Sequence, residues 1–450
     1  MSQFSRRKFM LASGITAAAS VLTNACSKKA EGEKGSTTTT TTTSSTTPAT
    51  TVAAGEAPEV TTARIGFIPL TDSAPLIIAK EKGLFAKYGM KDVEILKQTS
   101  WPVTRDNLET GSAGGGIDGA HMLSPMPYFM TMGMTKTKQP VPMYILARLN
   151  TNGQAISVAN TYKDAKIQLK GAGFKEALAQ AKTKADGKSD LKAAITFPGG
   201  THDLWMRYWL SANGVDPAKD VSLVPVPPPQ MVSNMKTASM EAFCVGEPWN
   251  ARLVNQKLGY TALVTGELWK DHPEKALAMR ADWVDKNPKA TKALLMAVQE
   301  AQQWCDKAEN KEEMAKIVSS PKWFDIPVAD ILGRIQGKID YGDGRVVDNY
   351  ANSMKFWADN ASYPYQSHDM WFLTENMRWG MIPTDFVKAK ELIKKVNRED
   401  LWKAAATALK VDAAQIPTST SRGVETFFDG VKFDPEKPED YLKSLKIKKA

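Results

Sequence analysis

Four histidines, three cysteines and a handful of strand-to-helix turns are where this 450-residue chain could do chemistry. His121, His202, His272 and His368 are scattered rather than grouped, and no Cys-x-x-Cys or His-Glu-x-x-His spacing occurs, so a structural metal is not indicated. With Cys26 set aside, Cys244 and Cys305 offer no disulfide framework and read as buried apolar residues. Gly114-Gly115-Gly116 is followed by neither Lys-Ser nor Lys-Thr, and reads as a flexible turn rather than a phosphate loop. No nucleophile elbow, recognisable Ser-His-Asp arrangement or paired-carboxylate signature is present.

Anion chemistry is better served. Helix N-termini present unpaired N–H groups and a partial positive charge, and in open α/β sheets ligands gather at the strand ends where such helices begin. Four starts fit: Thr71-Asp72-Ser73 ahead of Pro75, Ser100-Trp101-Pro102 ahead of Val103, Gly199-Gly200-Thr201-His202 ahead of Leu204, and Gly246-Glu247-Pro248 ahead of Trp249. Each alone is an ordinary capped helix start. Together they come from both halves of the chain, as a cleft between two lobes requires. His202, at a Gly-Gly helix start, is placed for anion contact. Read in isolation, Trp101 before a proline is a packing residue, and Lys275 in Asp271-His272-Pro273-Glu274-Lys275 is a solvated lysine of a polar turn. Leu204, Trp205, Tyr208 and Trp209 have helical spacing and read as core.

The elements that must hold these turns alternate. Strands are expected at 64–68, 93–96, 143–149, 155–158, 194–197, 222–226 and 261–264, with helices between several of them, including one over 75–82 that has Pro near its first turn and Gly83 after its end. That alternation predicts an α/β fold. Roughly 390 residues from Arg64 onward suffice for two lobes and an appendage. After Asn287 the pattern turns helical, at 289–306, 329–338 and 386–395, which predicts a helical cap on the first lobe. No internal repeat is evident.

The N-terminus is an address. Ser5-Arg6-Arg7-Lys8-Phe9-Met10 precedes an uncharged run from Leu11 to Ala25 that ends at Cys26, a twin-arginine export signal whose cysteine sits in a lipobox-like Leu22-Thr23-Asn24-Ala25 context. The Thr/Ser-rich tract from about Gly35 to Ala54 can bury little apolar surface and is expected to be a leash between a lipidated Cys26 and the body. The net charge of +9 is spread rather than blocked, which argues against nucleic acid and for a mild pull on anions.

Four stretches carry a family resemblance: RIGFIPLTDSAPLIIAKEKGLFAKYGM from Arg64, FPGGTHDLWMRYWLSANGVDP from Phe197, FCVGEPWNARL from Phe243 and TGELWKDHPEKALAMRADWVDKNPKAT from Thr265. The chain resembles the substrate-binding lipoproteins of cyanobacterial nitrate/nitrite transporters, with bicarbonate-binding proteins as close relatives, inside the wider nitrate/sulfonate/taurine-binding group. The resemblance implies a two-lobed periplasmic-binding fold of type II-like build with a helical C-terminal extension. Its parts are a signal (1–26), a linker (27–62), lobe I (63–153), lobe II (154–250), and a return to lobe I with the extension (251–450). It implies a protein lipid-anchored on the periplasmic side of the plasma membrane, without cofactor. That protein passes nitrate or nitrite to the permease and ATPase of an ABC importer.

Around nitrate the resemblance places Trp101, Gln154, His202, Gly246, Glu247 and Lys275. Chemically, Lys275 would supply charge, Gln154 and His202 N–H donors, Gly246 a backbone N–H, and Trp101 a flat wall or an indole N–H. Glu247, which when ionised only accepts, would orient Lys275 or a donor, or be held protonated. The bicarbonate relatives carry an acidic residue at the Lys275 position and use a cation, so lysine favours nitrate. A pyrimidine-synthesising enzyme family shares the fold, but its cysteine cluster is absent here. An adhesive surface protein would need no buried donors.

Overall fold

The structure, a computed structural model, describes residues 56–171, 173, 174, 177 and 191–449. The leader, Cys26 and nearly all of the linker lie outside those residues. Two five-stranded sheets organise the rest. The first holds β1 (Thr62–Phe67), β2 (Asp92–Lys97), β3 (Gly119–Leu123) and β4 (Met143–Arg148); the second holds β5 (Gln154–Ala159), β6 (Leu191–Ile195), β7 (Val221–Pro225), β8 (Ala242–Gly246) and β9 (Gly259–Val264). The chain then returns to add β10 (Lys275–Arg280) to the first sheet.

The orders are β2-β1-β3-β10-β4 and β7-β6-β8-β5-β9. In each sheet four strands run in one direction, and the fourth in the order, β10 or β5, lies antiparallel between its neighbours. The two lobes thus share one topology although the sequence shows no repeat. Each lobe's antiparallel strand is the one that follows a crossing from the other lobe. The second sheet runs to Val264, past the expected boundary at residue 250.

Seven strands lie where the sequence pattern places them. The three it does not reveal are β3, β8 and β10. β3 (GAHML) and β8 (AFCVG) are buried at every residue, and a strand covered on both faces carries no alternation to detect. β10 opens on a lysine at the end of a polar stretch, which disguises its start.

The expected helix over 289–306 is Pro288–Asp306, with Pro at its first turn. It buries Ala290, Leu294, Ala297, Val298, Ala301 and Cys305 along one stripe, packed on the Ala74–Glu81 helix and on Glu399–Ala408. The C-terminal extension departs from expectation: it does not cap the first lobe alone. Its Phe386–Val396 helix packs on β4 and on Met126–Thr131 of the first lobe, while its Gln366–Arg378 helix packs on Thr201–Ala212 of the second. The extension's contact with the second lobe is aromatic, with Trp371 of this helix stacked on Trp205 at 4.9 Å between centroids and Phe427, further along the extension, against Tyr208 at 4.8 Å.

Candidate functional site

Both chain crossings pass through the cleft, and each delivers a side chain into it. Gln154 is the first residue of β5 and Lys275 the first of β10. Trp101 opens the Trp101–Thr110 helix after β2, whose start is capped by Ser100 Oγ accepting from the Val103 N–H at 3.3 Å. His202 lies in the first turn of Thr201–Ala212, Gly246 ends β8, and Asp72 sits in the short turn after β1.

Lys275 is fully buried. Its Nζ lies 3.1 Å from Asp72 Oδ2 and 2.8 Å from Glu274 Oε1, with the Trp101 ring centroid at 5.9 Å. Gln154 spans the lobes: its Nε2 donates to Asp72 Oδ2 at 3.0 Å, and its Oε1 faces His202 Nε2 at 2.7 Å. Because the amide oxygen can only accept, His202 carries its proton on Nε2, and Thr196 Oγ1 then donates to Nδ1 at 2.6 Å. Burial, helped by the nearby lysine, holds the His202 imidazole neutral, well below its usual pKa. A side chain at Gly246 would put Cβ 2.6 Å from Gln154 Oε1, which only glycine avoids. Among the described residues the buried Trp101 indole N–H has no hydrogen-bond partner, an exception in a close-packed interior.

Five of the six expected residues therefore converge: Trp101, Gln154, His202, Gly246 and Lys275. The Glu247 carboxylate turns away, accepting from the Ala251 N–H at 3.1 Å and lying 3.6 Å from Arg334, while its backbone carbonyl accepts from Thr71 N–H at 2.7 Å. Burial raises its pKa against the pull of Arg334. The orienting role expected of it falls instead to Asp72 and Glu274, which the sequence reading did not single out as site residues. Asp72 also accepts from His121 Nε2 at 2.6 Å. Burial by itself would push the Asp72 carboxyl up, but Lys275 and His121 outweigh it and hold the group well below the usual carboxylate range. The same two carboxylates outweigh burial at Lys275 and keep it a cation. Glu274 accepts from Thr201 Oγ1, and from Trp205 Nε1 at 2.6 Å, tying the second lobe's helix to the lysine's strand. Burial pushes its pKa up, with Lys275 opposing.

The cluster brings together one buried cation, convergent N–H groups from two lobes and an unpartnered indole. The model of a known family, described as NMT1-like, matches residues 56–319. The chain belongs to that family. Over its full length it is 63% identical to the nitrate/nitrite binding protein NrtA of Nostoc sp. strain PCC 7120, covering 100% of both chains. It is 46% identical to the bicarbonate-binding protein CmpA of Synechococcus elongatus, over 99% of this chain and 98% of that one. The crystal structure of the periplasmic nitrate-binding protein NrtA from Synechocystis PCC 6803 superposes with a TM-score of 0.84 at 62% identity, covering 87% of this chain and 100% of that one. These matches bear out both the two-lobed fold and the resemblance read from the four stretches. These relatives are named as solute-binding proteins.

Proposed function

We propose that this protein is the solute-capturing component of an ATP-driven importer, acting on the periplasmic side of the plasma membrane and tethered there through a lipidated Cys26. Its ligand is nitrate, with nitrite as the second substrate. One observation carries the reading: Lys275, fully buried where the chain re-enters the first lobe, faces N–H donors on the second. An anion taken from water into such a cleft needs a compensating charge and donors, which Lys275, the Gln154 amide, His202 Nε2–H and the Trp101 indole supply. Nitrate has three acceptor oxygens and no proton to give. Identity to NrtA over the whole chain supports nitrate more strongly than the lower identity to CmpA supports bicarbonate.

Calorimetric titration of the mature protein with nitrate, nitrite and bicarbonate, the last with and without calcium, tests the ligand. Saturable nitrate binding indifferent to calcium is expected; calcium-dependent bicarbonate binding without nitrate binding would refute the reading. Cys26→Ser should move the exported protein from the membrane fraction to the soluble one, and unchanged fractionation would refute the tether.

A further inference from the structure

Lys275 does not wait uncompensated. Two carboxylates already flank it, and the Asp72 carboxylate lies where a captured anion would compete. Its Oδ2 accepts from Lys275 Nζ at 3.1 Å on the first lobe and from Gln154 Nε2 at 3.0 Å on the second. A Cβ at Gly246 would come within 3.3 Å of the same oxygen. Three of the residues assigned to nitrate under the functional reading are thus neighbours of one Asp72 oxygen. A carboxylate is planar, singly charged and offers two oxygens about as far apart as those of nitrite or nitrate.

We infer that Asp72 is an internal competitor for the ligand, its carboxylate holding the Lys275 and Gln154 donors that the captured anion takes over. This rests on the functional reading above. Capture is then an exchange of one anion for another at Lys275 rather than the filling of a bare cation. Displaced, Asp72 keeps the His121 Nε2–H that its other oxygen, Oδ1, already accepts at 2.6 Å. Lys275 in turn keeps Glu274 at 2.8 Å, so the cation stays paired throughout the exchange. The Asp72–Gln154 bond also joins the lobes without any ligand, so the residue both lowers affinity and favours closure of the empty protein. The apparent dissociation constant rises in inverse proportion to the fraction of molecules whose donors are free.

Asp72→Asn keeps shape and removes the charge. Titrated with nitrate, this variant should bind at least about tenfold more tightly than the wild type. Thermal melts add a readout that a purely structural role would not produce: the ligand-free variant should melt lower than wild type, while its rise in melting temperature at saturating nitrate should be larger. If Asp72→Asn does not fold, Asp72→Ser serves the same purpose. Nitrate affinity that is unchanged or weaker in a cooperatively melting variant overturns the inference while leaving the functional reading intact. A wild type that fails to bind nitrate overturns both.

Discussion

Two buried cations stand one strand apart at the same end of the first sheet, and they are wired differently. Arg148 ends β4, opposite Ala276 of β10, and its guanidinium is held by Asp369 of the C-terminal extension and by Ser124 Oγ at 2.8 Å. The other Asp369 oxygen accepts from Asn397 Nδ2 at 2.7 Å, so this pair is closed on itself and rivets the extension to the first lobe. Lys275 has two carboxylate partners instead of one, and each of them also bonds to the second lobe, Asp72 through Gln154 and Glu274 through Thr201 and Trp205. A forked guanidinium with one partner fixes geometry; a compact ammonium with several can trade them. Both cations are buried, so wiring is what separates the structural ion pair at Arg148 from the proposed binding site at Lys275.

Removing the cation at each place breaks the comparison most sharply. Lys275→Glu should abolish nitrate binding, at a cost on the order of 3 to 5 kcal/mol, or about a hundredfold to several thousandfold in affinity; a lysine in a solvated turn would cost under about 1 kcal/mol. Titration of the variant decides, and near-native affinity would remove the lysine from the site. Arg148→Met leaves Asp369 buried without its cation and should cost about 3 to 5 kcal/mol of unfolding free energy, read by denaturant titration. Nitrate affinity of the folded variant should change by less than about tenfold. A larger loss of binding would mean the two cations are not separate. Smallest of all is the effect expected at Glu247, whose carboxylate faces Arg334 rather than Lys275. Glu247→Gln should shift nitrate affinity by less than about threefold, and a drop comparable to that of Lys275→Glu would restore the orienting role expected from sequence.

The residues themselves explain what could be read in advance. The four helix starts were visible as local patterns, and all four deliver residues to the Lys275 cluster, Asp72, Trp101, His202 and Gly246, as strand-end chemistry requires. Lys275 was legible only through the family resemblance: locally it belongs to a polar turn, and its burial comes from β10 entering between β3 and β4, a long-range event. Asp72 lay in a recognised turn, but its partners at 121, 154 and 275 come from three other strands. Glu247 was expected in the site through the family resemblance, alongside Gly246. At the end of a strand successive side chains point to opposite faces, and the neighbour of an inward glycine turns away. The aromatic core around Trp205 was readable from local helical spacing, whereas the need for glycine at 246 comes from Gln154 on another strand.

The most direct test is a crystal structure of the protein grown with nitrate. A planar anion should lie within about 3.5 Å of Lys275 Nζ, contacting Gln154 and His202 from the second lobe, with Asp72 no longer sharing the lysine and still bonded to His121. Nitrate ordered elsewhere, with Lys275 still held between Asp72 and Glu274, would contradict the assignment of this cluster as the anion site.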